Sequence, residues 1–292
     1  LLWEISVPSY IGQSTQLQNL GSLSNQGVEL SLNASLINKK DFQWDMNFNI
    51  STNRSKVLSL GPDQEKPVGE HWGGYYSSIV KVGSPVGLFY GQVYEGVLTQ
   101  QDIDAGNLSA RPGDPKFKNI PDDPNNSTVI GNANPDFFGG LGTTVAYKGI
   151  SLNAFFQYSV GNDVMNLNSA YFLPGNANVN CYRELAEKMW TPENPDARYR
   201  QLGYFSQSLG GFAFSPYVQR SFVRLQDITI SYNVPASWLK KFNVNRLKAY
   251  VSGKNLLTFT DWDGWDPETG SGLDSSKYPV MRSYSVGLNL EF

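Results

Sequence analysis

The chain has 292 residues, a net charge of -3 and an isoelectric point near 5.3, which excludes a broad basic surface for nucleic acid. Only 17% of the residues are charged, whereas a typical soluble domain has about 25%. One cysteine, Cys181, excludes an internal disulfide, and one histidine, His71, leaves no histidine cluster for a metal centre. No apolar run reaches the about 20 residues that a membrane-spanning helix needs, so a place in a membrane would require a closed β-barrel.

The first predicted elements form a hairpin. Apolar and polar residues alternate over 28–36 and again over 42–50, with a short polar turn at 38–41 between them. Alternation with a period of two on both sides of a short turn is typical of antiparallel strands. A less regular strand is predicted over 86–98.

The later elements repeat this pattern. Strands are predicted over 141–147 and 150–160 around the turn Lys148-Gly149, then over 217–234, 247–259 and finally 284–292. In 217–234 the alternation slips by one residue between Leu225 and Ile228, which predicts a β-bulge. Residues 182–190 predict one short helix that ends before Pro192.

The strands are predicted to form a transmembrane barrel. Several reach about 10 residues, as strands that cross a bilayer do, and their non-apolar face is rich in Asn, Ser, Gln and Gly, as in a barrel lumen. Aromatic residues lie near the strand ends, where interfacial girdles belong: Phe42, Trp44, Tyr147, Tyr158, Phe259 and Phe292. A large soluble β-sandwich also alternates and remains an alternative.

The connections alternate between short turns and long excursions at 55–84, 99–135 and 162–216. This asymmetry is typical of short periplasmic turns and long extracellular loops. About nine strands are predicted, which is odd in number and too few for a large barrel. We therefore expect the chain to be a fragment whose first barrel strands lie upstream of Leu1.

Seven motifs in this order resemble the SusC/RagA family of TonB-dependent transporters. They lie at residues 19–30, 82–91 (VGSPVGLFYG), 112–117 (PGDPKF), 129–136 (VIGNANPD), 222–232 (FVRLQDITISY), 253–260 (GKNLLTFT) and 278–282 with the final strand. The resemblance implies that 1–292 is the C-terminal portion of an antiparallel transmembrane barrel of about 22 strands with long extracellular loops. It also implies an N-terminal plug that this chain lacks.

The family implies active import of a nutrient, an oligosaccharide or an oligopeptide, across the outer membrane. The implied partners are a SusD-like lipoprotein, TonB acting through the absent N-terminal region, and the outer-membrane lipids. A passive porin shares every barrel feature, and a soluble β-rich glycan-binding protein is a third hypothesis. The family often has a calcium-like stretch before the VIGNANPD motif, but the prolines in 119–126 do not fit such a loop.

Two aromatic loops are the candidate binding sites, at 71–76 and 261–268. Their predicted ligand-binding residues are Trp72, Tyr75, Tyr76, Trp262 and Trp265, whose flat rings suit sugars or peptides. The competing interpretation is that these rings pack inward and hold the loops together, and it is the preferred one for both loops. The acids of 261–268 fit no standard calcium loop. No catalytic residue, metal ligand or cofactor is predicted, and the terminal Phe292 resembles a barrel-assembly signal.

Overall fold

The fold is almost entirely antiparallel β-structure. The computed structural model describes residues 2–8, 10, 12–70, 76–106, 108, 110–118, 127–166, 180, 183, 187–201, 218–240, 243–262, 266–268, 273–274, 278 and 280–292. Among the described residues two short helices have defined bounds, α1 (Gln100–Gly106) and α2 (Ala236–Leu239). The strands are β1 (Leu2–Ser6), β2 (Thr15–Asn19), β3 (Gly21–Asn38), β4 (Phe42–Leu60), β5 (Glu65–Glu70), β6 (Tyr76–Lys81), β7 (Leu88–Gly91), β8 (Tyr94–Val97), β9 (Pro115–Phe117), β10 (Thr128–Asn132), β11 (Phe137–Tyr147), β12 (Ile150–Asn166), β13 (Val218–Asn233), β14 (Arg246–Thr260), β15 (Leu273–Asp274) and β16 (Ser283–Glu291).

Seven long strands form the main sheet in the order β16-β14-β13-β12-β11-β4-β3, and the short β15 pairs in parallel with β12. Each long strand is antiparallel to its neighbours, so the chain runs up and down across the sheet. The connections 39–41, 148–149 and 234–245 therefore meet at one end, and the longer connections 61–136, 167–217 and 261–282 meet at the other. We call these the short-turn end and the long-loop end. The predicted asymmetry of the connections is confirmed.

One face of the main sheet is apolar. Cross-strand pairing places apolar residues in continuous rows, one of which consists of Trp44, Val145, Leu152, Ile230, Val251 and Val286. Ile230, Val251 and Val286 are exposed, as are most apolar residues of β3 and β16. An apolar face this extended is typical of contact with lipid, and it sits opposite a face of Asn, Ser, Thr and Gly.

Aromatic residues border the apolar face at both ends. Phe42, Tyr147 and Tyr232 belong to one row beside the short turns, and Tyr158 and Phe259 belong to another row toward the long loops. On β12 the two rows are eight residues apart, from Ile150 to Tyr158. At a rise of about 3.3 Å per residue and a tilt of about 40°, that separation is roughly 20 Å along the membrane normal. It approaches the about 25 Å of a lipid-facing band.

A bulge keeps the apolar residues of β13 and β14 on one face. On the β12 side Phe155 pairs with Asp227 and Phe156 with Leu225, so Gln226 is an extra residue of β13. On the β14 side Leu225 pairs with Leu257 and Asp227 with Lys254, so Asn255 and Leu256 lie opposite Gln226. Opposite it, Asn255 has a φ of 54°, a left-handed conformation that Asn tolerates better than most residues. The predicted bulge is confirmed, and the GKNLLTFT motif forms its β14 side.

Glycines on the polar face lie beneath large neighbours. A Cβ at Gly287 would be 2.3 Å from the ring of Tyr250, and one at Gly140 would be 2.5 Å from the ring of Phe155. Side chains at these glycines would displace the rings, so glycine lets aromatic residues lie flat on the inner face.

The hairpins predicted around 38–41 and 148–149 and the final strand are confirmed. The single strand predicted over 86–98 is wrong: β7 pairs with β6 and β10, whereas β8 pairs with β9 in a separate small sheet. The main sheet thus has seven long strands among the described residues, not nine. The first excursion begins at Gly61, not residue 55, because the end of β4 still pairs with the start of β3. Likewise the excursion predicted over 162–216 begins only after Asn166, the end of β12.

Candidate functional site

The polar face of the main sheet is the candidate site, because part of one long connection, residues 266–268, is held against it. Arg224 on β13 anchors one of them. Its Nη2 donates to Asp266 Oδ1 at 2.5 Å and its Nη1 donates to Glu268 Oε2 at 2.9 Å. Its Nε donates to Thr258 Oγ1 on β14 at 3.2 Å, and the guanidinium lies 5.1 Å from the ring centre of Phe222. All three guanidinium nitrogens therefore have partners within the protein.

The loop end at 266–268 is closed on itself and on β12. The Glu268 N–H donates to Asp266 Oδ1 at 2.8 Å, and Gln157 Nε2 donates to Glu268 Oε1 at 2.9 Å. The side chains of Arg224 and Asp266 are only 5% and 11% exposed, whereas that of Glu268 is 47% exposed. The buried carboxylate is neutralised by a buried guanidinium. This arrangement supports the packed-loop interpretation of 261–268 over a calcium site.

Trp262 is the one predicted binding residue whose side chain the structure describes. It is 8% exposed, its backbone N–H donates to Thr260 Oγ1 at 3.1 Å, and its indole Nε1 has no hydrogen-bond partner among the described residues. Trp72, Tyr75 and Trp265 lie outside the described residues. Tyr76 begins β6 opposite Glu70, but its side chain is outside the description. Ligand contact by the five aromatics stays a prediction.

A second feature of the site is the contact between the first two long connections. Gly113 lies under the indole of Trp190, where an added Cβ would be 2.4 Å from Cδ2. Gln201 donates twice, from its backbone N–H to Gly113 O at 2.9 Å and from Nε2 to Asp114 Oδ1 at 2.8 Å. The same carboxylate accepts the Arg111 N–H at 2.8 Å, so the buried Asp114 has both oxygens engaged. The PGDPKF motif thus joins two connections that are distant in sequence.

Tyr94 makes a further contact between these two connections. Its hydroxyl donates to the carbonyl of Arg198 at 2.9 Å, and its ring packs edge-on against Phe117. Burial raises the pKa of the Tyr94 phenol well above its usual range. The hydroxyl therefore remains a donor at every physiological pH.

The start of α1 is held by an ionised carboxylate. Asp102 accepts from the Thr99 N–H at 2.9 Å, from the Thr99 hydroxyl at 2.7 Å and from Lys116 Nζ at 2.7 Å. Its own N–H donates to Thr99 Oγ1, which completes a reciprocal cap. The pKa of Asp102 lies well below its usual range, chiefly because of the hydrogen bond from Lys116 and then because of the two hydrogen bonds from Thr99. The cap fixes α1 to β9.

The VIGNANPD motif returns the first connection to the main sheet. The Asn132 N–H donates to Asp163 Oδ2 on β12 at 2.8 Å. Asn134 donates to Asn132 Oδ1 from both its backbone and its side chain, and its Nδ2 also donates to Val86 O at 2.5 Å. Within the motif, polar side chains therefore replace missing strand pairs.

Other predicted site features are placed only in part. Phe292 is 80% exposed and follows the edge strand β16 directly, and its role as an assembly signal stays a prediction. His71, Cys181, the calcium-like stretch 119–126 and most of the helix predicted at 182–190 lie outside the described residues. In the part of the chain that is described, no three His, Cys, Asp or Glu residues are grouped to hold a metal ion. Nor does that part contain a helix long and apolar enough to span a membrane.

Sequence reasoning missed Arg224 as the anchor of the third connection. The signal was present, since an arginine occupies a lumen-facing position in a strand whose neighbouring positions are apolar or small. Its partners Asp266 and Glu268 are more than 40 residues away along the chain. Alternation identifies the face that carries Arg224, but it contains no information on which loop reaches that face.

Comparison with known proteins gives similarity along the whole chain. The chain is 33% identical to TonB-dependent receptor P3 of Formosa agariphila and 28% identical to TonB-dependent receptor SusC of Bacteroides thetaiotaomicron. Both alignments cover 100% of the chain. It covers 31% and 29% of those proteins, so it spans about a third of their length. No family model matches the sequence.

Solved structures agree on the fold. A chain of the RagAB peptide importer in its open-open state superposes with a TM-score of 0.80 at 25% identity, over 100% of this chain and 31% of that one. A chain of the RagAB peptide transporter gives a TM-score of 0.81 at 24% identity, over 100% and 32%. The fold is therefore part of a large antiparallel transmembrane β-barrel. The resemblance to the SusC/RagA family of TonB-dependent receptors that the ordered motifs predict is confirmed along the whole chain.

Proposed function

We propose that the protein imports a nutrient oligomer actively across the outer membrane, and that residues 1–292 supply barrel wall and part of the vestibule above it. The observation that carries the proposal is the two-faced main sheet. Its apolar face has aromatic borders whose separation approaches the height of a lipid-facing band. Its polar face carries a loop that Arg224 holds in place.

The cargo is an oligosaccharide or an oligopeptide. The polar face presents amides, hydroxyls and flat rings, including Asn47, Asn49 and Tyr250. Such groups bind sugars and peptide backbones alike, through hydrogen bonds and stacking. The RagAB structures are named for peptide import. The SusC and P3 names state dependence on TonB without naming a cargo.

The partners are a SusD-like surface lipoprotein, TonB and the outer-membrane lipids. The lipoprotein covers the long-loop end, where the contact of Gly113 with Trp190 makes the first two connections a firm platform. The relatives are about three times as long as this chain. We place the plug and the TonB contact in that remaining length. Because the relatives are named as receptors and importers, we assign the chain no enzymatic activity.

The first experiment isolates the full-length protein from its native outer membrane in mild detergent and identifies every co-purifying chain by mass spectrometry. Recovery of a plug region together with a SusD-like lipoprotein supports the importer. A barrel without either is a passive porin, and recovery of the protein without detergent contradicts the membrane placement.

The second experiment measures uptake of fluorescent oligosaccharide and oligopeptide pools by cells with and without a working TonB. Energised import predicts accumulation that is lost when TonB is removed, for one of the two pools. Entry that is equal in both strains contradicts active import. The pool that accumulates identifies the class of cargo.

A further inference from the structure

The short-turn end of the main sheet has a charge opposite in sign to that of the whole chain. Six of the 23 Lys and Arg residues lie in the three short connections and the strand residues that flank them, against one of the 26 Asp and Glu residues, Asp41. Glu291, at the end of β16, lies beside this end opposite Arg246. The rest of the chain is therefore more acidic than its net charge of -3 indicates.

The described basic residues of this end are all exposed, and they follow the line of the turns. They are Lys39, Lys40, Lys148, Lys240 and Arg246. Backbone hydrogen bonds hold neighbouring turns side by side: the Lys148 N–H donates to Asp41 O at 3.1 Å, and the Asn233 N–H donates to Gly149 O at 2.8 Å. The charges therefore form an arc along one rim of the sheet.

Aromatic residues border the same rim on its lipid-facing side. Tyr147 belongs to the last aromatic row of the apolar face, packs edge-on against Phe42 and has Lys148 Nζ 5.3 Å from its ring centre. Trp238 on α2 is 65% exposed, while its neighbour Leu239 is buried. An exposed tryptophan on a helix that is anchored by a buried neighbour is typical of a membrane interface.

We propose that these basic and aromatic residues form a belt that binds the phosphate groups of anionic phospholipids in the adjoining leaflet. The belt continues the lipid-facing band directly, since Tyr147 is part of that band and Lys148 follows it. Lysine stems lie along apolar surface while the ammonium reaches the headgroups. Each basic residue near an anionic membrane surface contributes attraction that decays within a Debye length. The proposal depends on the barrel fold and not on import.

The test measures lipid retention by the full-length protein in detergent. Native mass spectrometry counts bound phosphatidylglycerol and phosphatidylcholine after titration with each lipid. The test variant carries Lys39→Gln, Lys40→Gln and Lys148→Gln. The matched control carries three exchanges on exposed lysines outside the short-turn end, Lys56→Gln, Lys118→Gln and Lys188→Gln. An unchanged gel shift on heating establishes that both variants keep the folded barrel.

The wild-type protein and the control retain phosphatidylglycerol in preference to phosphatidylcholine, and the test variant loses that preference by about tenfold or more. Raising the salt concentration from 0.1 M to 1 M removes the preference of the wild-type protein, because the Debye length falls from about 10 Å to about 3 Å. Equal preference in the wild-type protein and the test variant overturns the proposal. So does an equal loss in the control, or no preference in the wild-type protein.

Discussion

Replacing Arg224 with methionine removes the cation that holds the third long connection on the polar face. Breaking a buried ion pair by deleting one partner costs about 3–5 kcal/mol, because the other charge stays buried without compensation. Asp266, whose side chain is 11% exposed, is that charge. Glu268 is 47% exposed, and a pair this open contributes about 0–1 kcal/mol.

The substitution destabilises the docked position of the loop and leaves the stability of the barrel unchanged. Asp266 regains water once 261–268 leaves the sheet, whereas the ladder of β12, β13 and β14 needs no ion pair to persist. A cost of about 3 kcal/mol corresponds to a shift of roughly 100-fold in the equilibrium between the docked and the released loop. In the docked loop the backbone N–H of Glu268 donates a hydrogen bond to the Asp266 carboxylate. Hydrogen exchange of this N–H therefore measures the equilibrium between the docked and the released loop.

The matched control is Arg54→Met, which removes an exposed arginine from β4. Exchange in 266–268 rises strongly in Arg224→Met and stays unchanged in Arg54→Met, while the barrel peptides of β12 and β13 stay protected in both. Adding Asp266→Asn to Arg224→Met recovers part of the protection, since a neutral amide is less costly to bury than a carboxylate. Equal exchange in the Arg224 and Arg54 variants would refute the anchor.

Three further predictions concern the wall and the loops. Val251→Arg on the apolar face destabilises the barrel by about 2–4 kcal/mol, whereas Ser252→Arg on the polar face changes little, as measured by thermal gel shift of the full-length protein in lipid; equal effects would contradict the assignment of faces. Gly113→Ala displaces Trp190, and the alanine must also adopt the positive φ of 88° found at this position. Limited proteolysis within 187–201 therefore accelerates, and an unchanged cleavage rate would refute the contact. Because the pKa of Asp102 is depressed in the fold, its stabilisation of α1 is fully present above the ordinary Asp range and declines as the pH falls through the folded-state pKa. The difference in α1 exchange between the wild-type protein and Asp102→Asn, corrected for intrinsic rates, therefore narrows in acid, and a pH-independent difference would contradict the ionised cap.

The barrel strands could be predicted because lipid on one side and a polar lumen on the other impose a period of two on the sequence. The slip between Leu225 and Ile228 predicts the bulge at Gln226, the residue of β13 that is extra relative to β12. Residues 86–98 were misread as one strand because apolar content does not reveal where a chain changes partners. Here β7 and β8 belong to different sheets.

The contacts that organise the loops were beyond sequence reasoning. Gly113 and Trp190, like Arg224 and Asp266, meet only because the antiparallel sheet brings successive long connections to the same end. Residues in such loops follow no regular period. Their sequence therefore predicts turns, but it does not predict which residues of two loops come into contact. The family motifs PGDPKF and VIGNANPD are examples, since their contacts with Gln201 and Asp163 join segments that are distant in sequence.

The most direct test of the central claim, that this sheet is a wall between lipid and a polar lumen, is a spin-label scan along β14. Single cysteines at positions 249 to 252 are labelled in the full-length protein in lipid vesicles, with Cys181 replaced by serine. Ala249 and Val251 belong to the apolar face, and Tyr250 and Ser252 to the polar face. A barrel wall predicts that labels at 249 and 251 collide freely with oxygen dissolved in the bilayer, while labels at 250 and 252 do not. Uniform oxygen accessibility, or alternation in the opposite phase, would contradict it.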